Sequence, residues 1–228
     1  MAETVHVLNV FVGPDDGGGN PVGVFLGAAG WSQSRRQAIA ADLGFSETVF
    51  VDDLVRGELH IHTPVTELPL AGHPLVGTSW LLTKHGVWLD LLRPPAGEVP
   101  AWSANGRTWI SARPEWAPEF DMRELPSPTD VDNHPGAGPD QHLHVWSWQD
   151  EATGRVRVRV FPTALGIAED EATGSAALRL GQLLERSLTI RQGADSEILV
   201  QPSGDGTVAV GGRVALVDTR PYSLSGRW

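Results

Sequence analysis

The chain of 228 residues has no cysteine, one tyrosine and two methionines. Without a thiol it can form no disulfide, no thiolate metal site and no cysteine nucleophile. No apolar run approaches the roughly 20 residues that a membrane-spanning helix needs. Positive charge is scarce: 17 Lys and Arg against 28 Asp and Glu give a formal net charge of -11. That balance argues against a nucleic acid or an anionic membrane as partner, since either needs a basic patch. The densest arginine stretch, Arg155-Val156-Arg157-Val158-Arg159, alternates with valine and reads as one solvated strand face. The N-terminal Met1-Ala2-Glu3-Thr4-Val5-His6-Val7 has neither the basic nor the apolar region of a secretion signal, so a cytoplasmic protein is expected.

Glycine and proline are plentiful, 26 and 17 residues, which favours many turns over long helices. Alternating or β-branched runs predict strands over residues 5–10, 22–26, 47–51, 59–63 and 87–92. Helical spacing predicts helices over 32–43, with Ser32 or Ser34 as N-cap and Gly44 as stop, and over 72–85, with Gly86 just past the end. Asn105-Gly106 is a hairpin-turn dipeptide that opens the second half, ahead of a strand at 109–112. Residues 114–139 read as a long connection with one short helix around 119–125. Strands follow at 142–148 and 155–161, a helix at 173–185, and short strands at 188–191, 198–201, 208–210 and 214–217. The runs 71–82 and 176–184 are apolar on most faces, which is the mark of buried helices. The expected fold is therefore α+β. Two similar lobes, 1–103 and 104–228, each wrap a mostly antiparallel sheet around a central apolar helix, with a cleft between them and the final strand able to cross back to the first lobe.

Two segments look like copies of one device. They are Glu67-Leu68-Pro69-Leu70-Ala71-Gly72-His73-Pro74-Leu75-Val76-Gly77-Thr78 and Ile167-Ala168-Glu169-Asp170-Glu171-Ala172-Thr173-Gly174-Ser175-Ala176-Ala177-Leu178. Each sets acidic residues and a small turn ahead of an apolar helical run. Helix N-termini carry free N–H groups and the positive end of a dipole, so two that face each other would grip an anion from both sides. His73 and Asp170 then stand at the cleft walls.

Several segments carry a resemblance to a known family. They are Asn9-Val10-Phe11, Gly19-Asn20-Pro21-Val22-Gly23-Val24, Gly44-Phe45-Ser46-Glu47-Thr48-Val49-Phe50-Val51, Thr63 through Pro74, Pro95-Ala96-Gly97, Phe161-Pro162, Glu169-Asp170 and Ala172-Thr173-Gly174-Ser175-Ala176-Ala177. In that order the chain resembles the PhzF-like phenazine-biosynthesis proteins, which share the diaminopimelate-epimerase fold. The resemblance implies a homodimeric, proton-shuttling isomerase with no metal and no organic cofactor. It implies that Glu47 moves the proton, that His73, Asp170 and Ser175 contact a small carboxylated substrate, and that Gly72 and Gly174 offer backbone N–H groups to its carboxylate. Relatives of this fold that epimerise amino acids use two cysteines, which this chain lacks, so that mechanism is closed to it.

The residues also have readings of their own. Glu47 lies in an apolar strand, where desolvation would lift its carboxyl towards a general base; an edge-strand glutamate facing water is the competing reading. His73, followed by Pro74 at a helix start, is expected to be a neutral imidazole, or simply to cap its helix. Asp170 could serve a substrate or only complement the helix dipole, while Glu169 and Glu171 beside it read as solvated. Ser175 lacks the glycine two residues on that a nucleophile elbow requires, so it reads as a hydrogen-bonding serine. His60/His62 and His142/His144 share strand faces, but nothing completes a metal site. Gly17-Gly18-Gly19-Asn20-Pro21 reads as a flexible turn, since no Lys-Ser/Thr follows it. A proton-moving isomerase and a non-catalytic small-molecule-binding module that keeps the cleft both fit this pattern. The late Leu199-Val200-Gln201-Pro202-Ser203 and the Glu171 position depart from the family pattern and leave the substrate open.

Overall fold

The computed structural model describes residues 3–223, so the first two residues of the N-terminal stretch lie outside it. The elements run β1 (Glu3–Val12), β2 (Asn20–Leu26), α1 (Gln33–Leu43), β3 (Glu47–Asp53), β4 (Glu58–His62), β5 (Glu67–Leu68), α2 (Gly72–Lys84), β6 (Leu91–Leu92), β7 (Val99–Ala104) and β8 (Arg107–Ala112). They continue with β9 (Asp121–Glu124), α3 (Pro128–Asp132), β10 (Leu143–Asp150), β11 (Arg155–Phe161), α4 (Gly174–Leu184), β12 (Leu188–Gln192), β13 (Ser196–Pro202) and β14 (Val208–Tyr222). One sheet carries the order β5-β4-β3-β2-β1-β14-β13-β12-β11-β10-β9, and the β6-β7-β8 meander joins it where β8 pairs with β14. Most pairs are antiparallel. The parallel ones, β2/β3, β9/β10 and β11/β12, each bracket a helix, as a crossover requires. Among the described residues no helix is long and apolar enough to cross a membrane.

Helix ends follow their sequence signals. Ser32 Oγ accepts the Arg35 N–H, and Gly44 closes α1 at φ 67°, a left-handed position that favours glycine. Asn105 and Gly106, both at positive φ, turn β7 into β8. Inside the sheet lies a core built on Leu8, Val10, Val22, Val49, Ile61, Leu75 and Val76 in the first half and Val156, Val158, Val160, Ala177, Leu178 and Leu180 in the second. α1 covers the outer face of β3 and β4, and α3 that of β10 and β11.

Five readings change. Residues 87–92 yield only Leu91–Leu92, because the chain leaving α2 spends its N–H groups on the helix end: His85 bonds Leu81, and Val87 bonds Leu82. The short helix falls at Pro128–Asp132, where Ser127 caps and Pro128 opens it, while Asp121–Glu124 is a strand parallel to β10. The two strands of 208–217 are one strand, β14, that runs on to Tyr222. Gly211 and Gly212 do not break it; a Cβ at Gly211 would meet the Trp109 ring at 2.3 Å and one at Gly212 would meet Phe11 at 2.6 Å, so they let bulky neighbours lie against the strand. The arginines of β11 are not simply solvated, for Arg157 pairs with Asp132 and Arg159 with Glu169, while Arg159 also donates to the carbonyls of Asp132 and His134. Finally, α4 is not buried on most faces, since Gln182 and Leu183 are exposed, Leu183 by 57%. The expected boundary between residues 103 and 104 falls inside β7, one residue before the hairpin turn.

Candidate active site

α2 and α4 begin against each other. A Cβ on Gly72 would stand 2.7 Å from the Gly174 backbone, and one on Gly174 would stand 2.8 Å from His73 N, so only glycine lets the two N-termini come this close. Neither helix has a side-chain cap, and their first N–H groups are left to face the seam between the halves.

Glu47 opens β3 as its first residue, pairing with Val22 of the parallel β2 and pointing to the inner face with Val49 and Val51. His73 is the second residue of α2. Asp170 bridges Val160 of β11, four residues ahead of α4. All three are buried: 7% of Glu47, 2% of His73 and 5% of Asp170 is exposed. His73 Nε2 lies 3.4 Å from Glu47 Oε2, and neither atom has another partner.

Burial decides the protonation states. It pushes the Glu47 carboxyl up to about 8, and the negative charge of Asp170 adds to the push while Ser46 opposes it. It pushes Asp170 up to about 6, held back by hydrogen bonds from Thr173 and Asn20. It lowers His73 to about 3, against a hydrogen bond to the Pro21 carbonyl. His73 is therefore neutral at pH 7. With one ring N–H given to Pro21, its Nε2 carries the lone pair, which faces the protonated Glu47 carboxyl. Asp170 is the more readily ionised of the two acids. It accepts Asn20 Nδ2 at 2.7 Å and Thr173 Oγ1 at 2.6 Å.

The expected residues do not play equal parts. Glu47, His73 and Asp170 converge, and Gly72 and Gly174 form the seam. Ser175 is half-buried at the second position of α4, the counterpart of His73, and among the described residues nothing hydrogen-bonds its hydroxyl. Glu169 is exposed, as expected, and pairs with Arg159, whereas Glu171 is half-buried and accepts from Ala194 N and Ser196 Oγ. The loop before Asn20 is held too, by Gly19 N donating to Ser196 Oγ at 2.8 Å. His60 bonds Glu67 and His62 bonds Gln37, and among the described residues no cluster of three or more His, Asp or Glu is placed to hold a metal ion. Sequence reasoning assigned no role to Asn20, Thr173 or Gln192, which surround Asp170; Gln192 Nε2 reaches the Asp170 carbonyl at 2.8 Å and the Thr173 hydroxyl at 2.8 Å. A strand-end glutamine carries no local signal of such a role, whereas Asn20 stands directly after a glycine run and before a proline, which marks a constrained position.

Two helix starts thus meet beside a buried carboxyl and a neutral imidazole, in a fold shared with PhzF-family and epimerase-like structures. The chain belongs to the phenazine biosynthesis-like (PhzC-PhzF) family, whose model matches residues 10–132. It is 34% identical to trans-2,3-dihydro-3-hydroxyanthranilate isomerase of Pseudomonas chlororaphis, over 79% of this chain and 80% of that one. Among solved structures, a PhzF-family protein of Enterococcus faecalis matches 98% of this chain and 100% of its own at a TM-score of 0.76 and 18% identity. A predicted epimerase of Pseudomonas aeruginosa matches 96% and 99% at 0.75 and 23%. By that kinship the chain is an isomerase.

Proposed function

We propose that the protein moves a proton within a small carboxylated, cyclic or amino-acid-like metabolite, with Glu47 as the acid/base and no cofactor. One observation carries this reading: the buried Glu47 carboxyl lies 3.4 Å from His73 Nε2 at the seam of two uncapped helix starts. Burial raises the Glu47 carboxyl, so only a minor fraction of it is ionised at pH 7. That fraction removes a proton from carbon. The C–H pair of electrons shifts the double bond, and the protonated Glu47 returns a proton to another carbon, so substrate and product are isomers. His73, neutral throughout, hydrogen-bonds the acid form of Glu47 and orients it. Ionised Asp170 accepts from an amine or hydroxyl of the substrate, and Ser175 hydrogen-bonds it from the second helix start. The first N–H groups of α2 and α4 receive its carboxylate.

The named substrate of the Pseudomonas chlororaphis relative is the first probe. Incubation with trans-2,3-dihydro-3-hydroxyanthranilate should give a product of unchanged mass and altered proton NMR spectrum. A product of different mass would replace isomerisation with a lyase or hydrolytic reaction. Ligand-induced stabilisation without any product would leave a binding module in its place.

A further inference from the structure

The two acids of the site sit in different halves of the chain, and one side chain reaches towards both. Asn20, 2% exposed, is the first residue of β2. Its Nδ2 donates to Asp170 Oδ1 at 2.7 Å and to the Ala172 carbonyl at 2.9 Å. Its Oδ1 accepts from the hydroxyl of Ser46, the neighbour of Glu47, at 3.1 Å. Both amide hydrogens and the oxygen are in use, which fixes the orientation of the group. Asn20 is itself held from the second half. Gly19 N donates to Ser196 Oγ, which donates to Glu171 Oε1 at 2.9 Å, and the Glu171 carboxylate lies where a Cβ on Gly193 would stand, 2.1 Å away.

We propose that Asn20 is the positioning residue that divides the labour between the two acids, anchoring Asp170 as the charged partner and competing with Glu47 for the Ser46 hydroxyl. The inference rests on the acid/base reading of Glu47 and adds a residue to it. An amide N–H given to a carboxylate favours its ionised form. Ser46 lies within reach of Glu47 and of Asn20, but its hydroxyl has one proton and serves one acceptor at a time. Removing the Asn20 side chain withdraws a donor from Asp170 and releases Ser46 to Glu47. Asp170 then becomes harder to ionise and Glu47 easier, so the two steps of the pair draw together.

The test is a carboxyl-carbon NMR titration of the whole chain, labelled at Asp and Glu, with the two signals identified by Asp170→Asn and Glu47→Gln. The variants are Asn20→Ala and the isosteric Asn20→Asp, which keeps the fold's shape should the alanine variant not fold and places a carboxylate against Asp170. Tyr222→Phe, which loses a 2.6 Å hydrogen bond to Asp42 far from the site, is the control for a merely structural loss. Both Asn20 variants should narrow the gap between the two titration steps, while Tyr222→Phe leaves it unchanged. Turnover in Asn20→Ala should fall about 10- to 100-fold in kcat, the range for a lost hydrogen bond to a charged group. Unaltered titration steps in both Asn20 variants, or an equal change in Tyr222→Phe, would overturn the proposal. Wild-type protein that turns over nothing would sink the acid/base reading instead, and the titration would still decide the role of Asn20.

Discussion

The two halves use one device and fill it differently. In the first, Leu68 pairs with Ile61 and α2 starts four residues later at Gly72. In the second, Asp170 bridges Val160 and α4 starts four residues later at Gly174. The same place holds a core leucine in one half and a site carboxylate in the other. The residue after the glycine is His73 in one and Ser175 in the other. The helices differ as well: ten of the 13 residues of α2 are buried, but six of the 11 of α4. α2 is wrapped by β1, β2, β3, β7, β8 and β14, whereas α4 packs on β13, β14 and the turn at Pro114–Trp116 and leaves Gln182 and Leu183 to solvent. Symmetry thus supplies the two facing N-termini, and the departures from it set different side chains there. The first half places Glu47 and His73 at the site, and the second places Asp170.

The seam offers the strongest way to break this comparison. Gly72→Ala or Gly174→Ala puts a methyl group into the facing backbone and forces the helix starts apart. Turnover should fall at least about 100-fold, since roughly an ångström of misplacement can cost that much. Alanine at Gly77 or Gly181, whose added Cβ would meet valine and leucine methyl groups instead of backbone, should cost far less. Steady-state kinetics on the four variants checks the order.

Next in size is the difference in wrapping. Leu75→Ala, at a fully buried α2 position, should lose about 2–5 kcal/mol in a denaturant titration. Leu183→Ala, on the open face of α4, should stay within about 0.5 kcal/mol. Equal losses would mean that the second helix is as enclosed as the first.

A third contrast is electrostatic. Native Glu47 holds its proton to about 8 instead of its ordinary 4.5, so its raised value favours folding less and less as pH climbs from about 4.5, and the loss is complete above about 8. Melting temperatures taken from pH 5 to 9 should therefore decline more in the wild type than in Glu47→Gln. His73 has the opposite sign, for its lowered value costs stability as pH falls below 6.5 towards 3.

Much of this was legible in the residues, where local chemistry decides. The Ser32 cap, the Gly44 stop, the Asn105-Gly106 turn and the arginine-valine alternation of β11 all have the structure their side chains dictate. Readings went astray where a distant partner decides. Residues 208–210 and 214–217 read as two strands, but Trp109 and Phe11 lie against the glycines between them and the strand runs through. Residues 121–124 become a strand because β10 offers them an edge, and the cap at Ser127-Pro128 was the better local signal for a helix. The α4 stripe looks core-like in sequence because its exposure depends on how many strands surround it. In the site, His73 and the two glycines are marked by their helix start. The network around Asp170 joins residues 20, 46, 173 and 192, and only the fold brings those together.

The central claim is that Glu47 carries the proton, and isotope exchange tests it most directly. Wild-type protein and Glu47→Gln are incubated in D2O with trans-2,3-dihydro-3-hydroxyanthranilate, and the ring protons are followed by NMR. The account predicts product bearing solvent deuterium with the wild type, and neither product nor deuterium with a Glu47→Gln protein that is folded and still binds the compound. Deuterium entering at the wild-type rate in Glu47→Gln would contradict it.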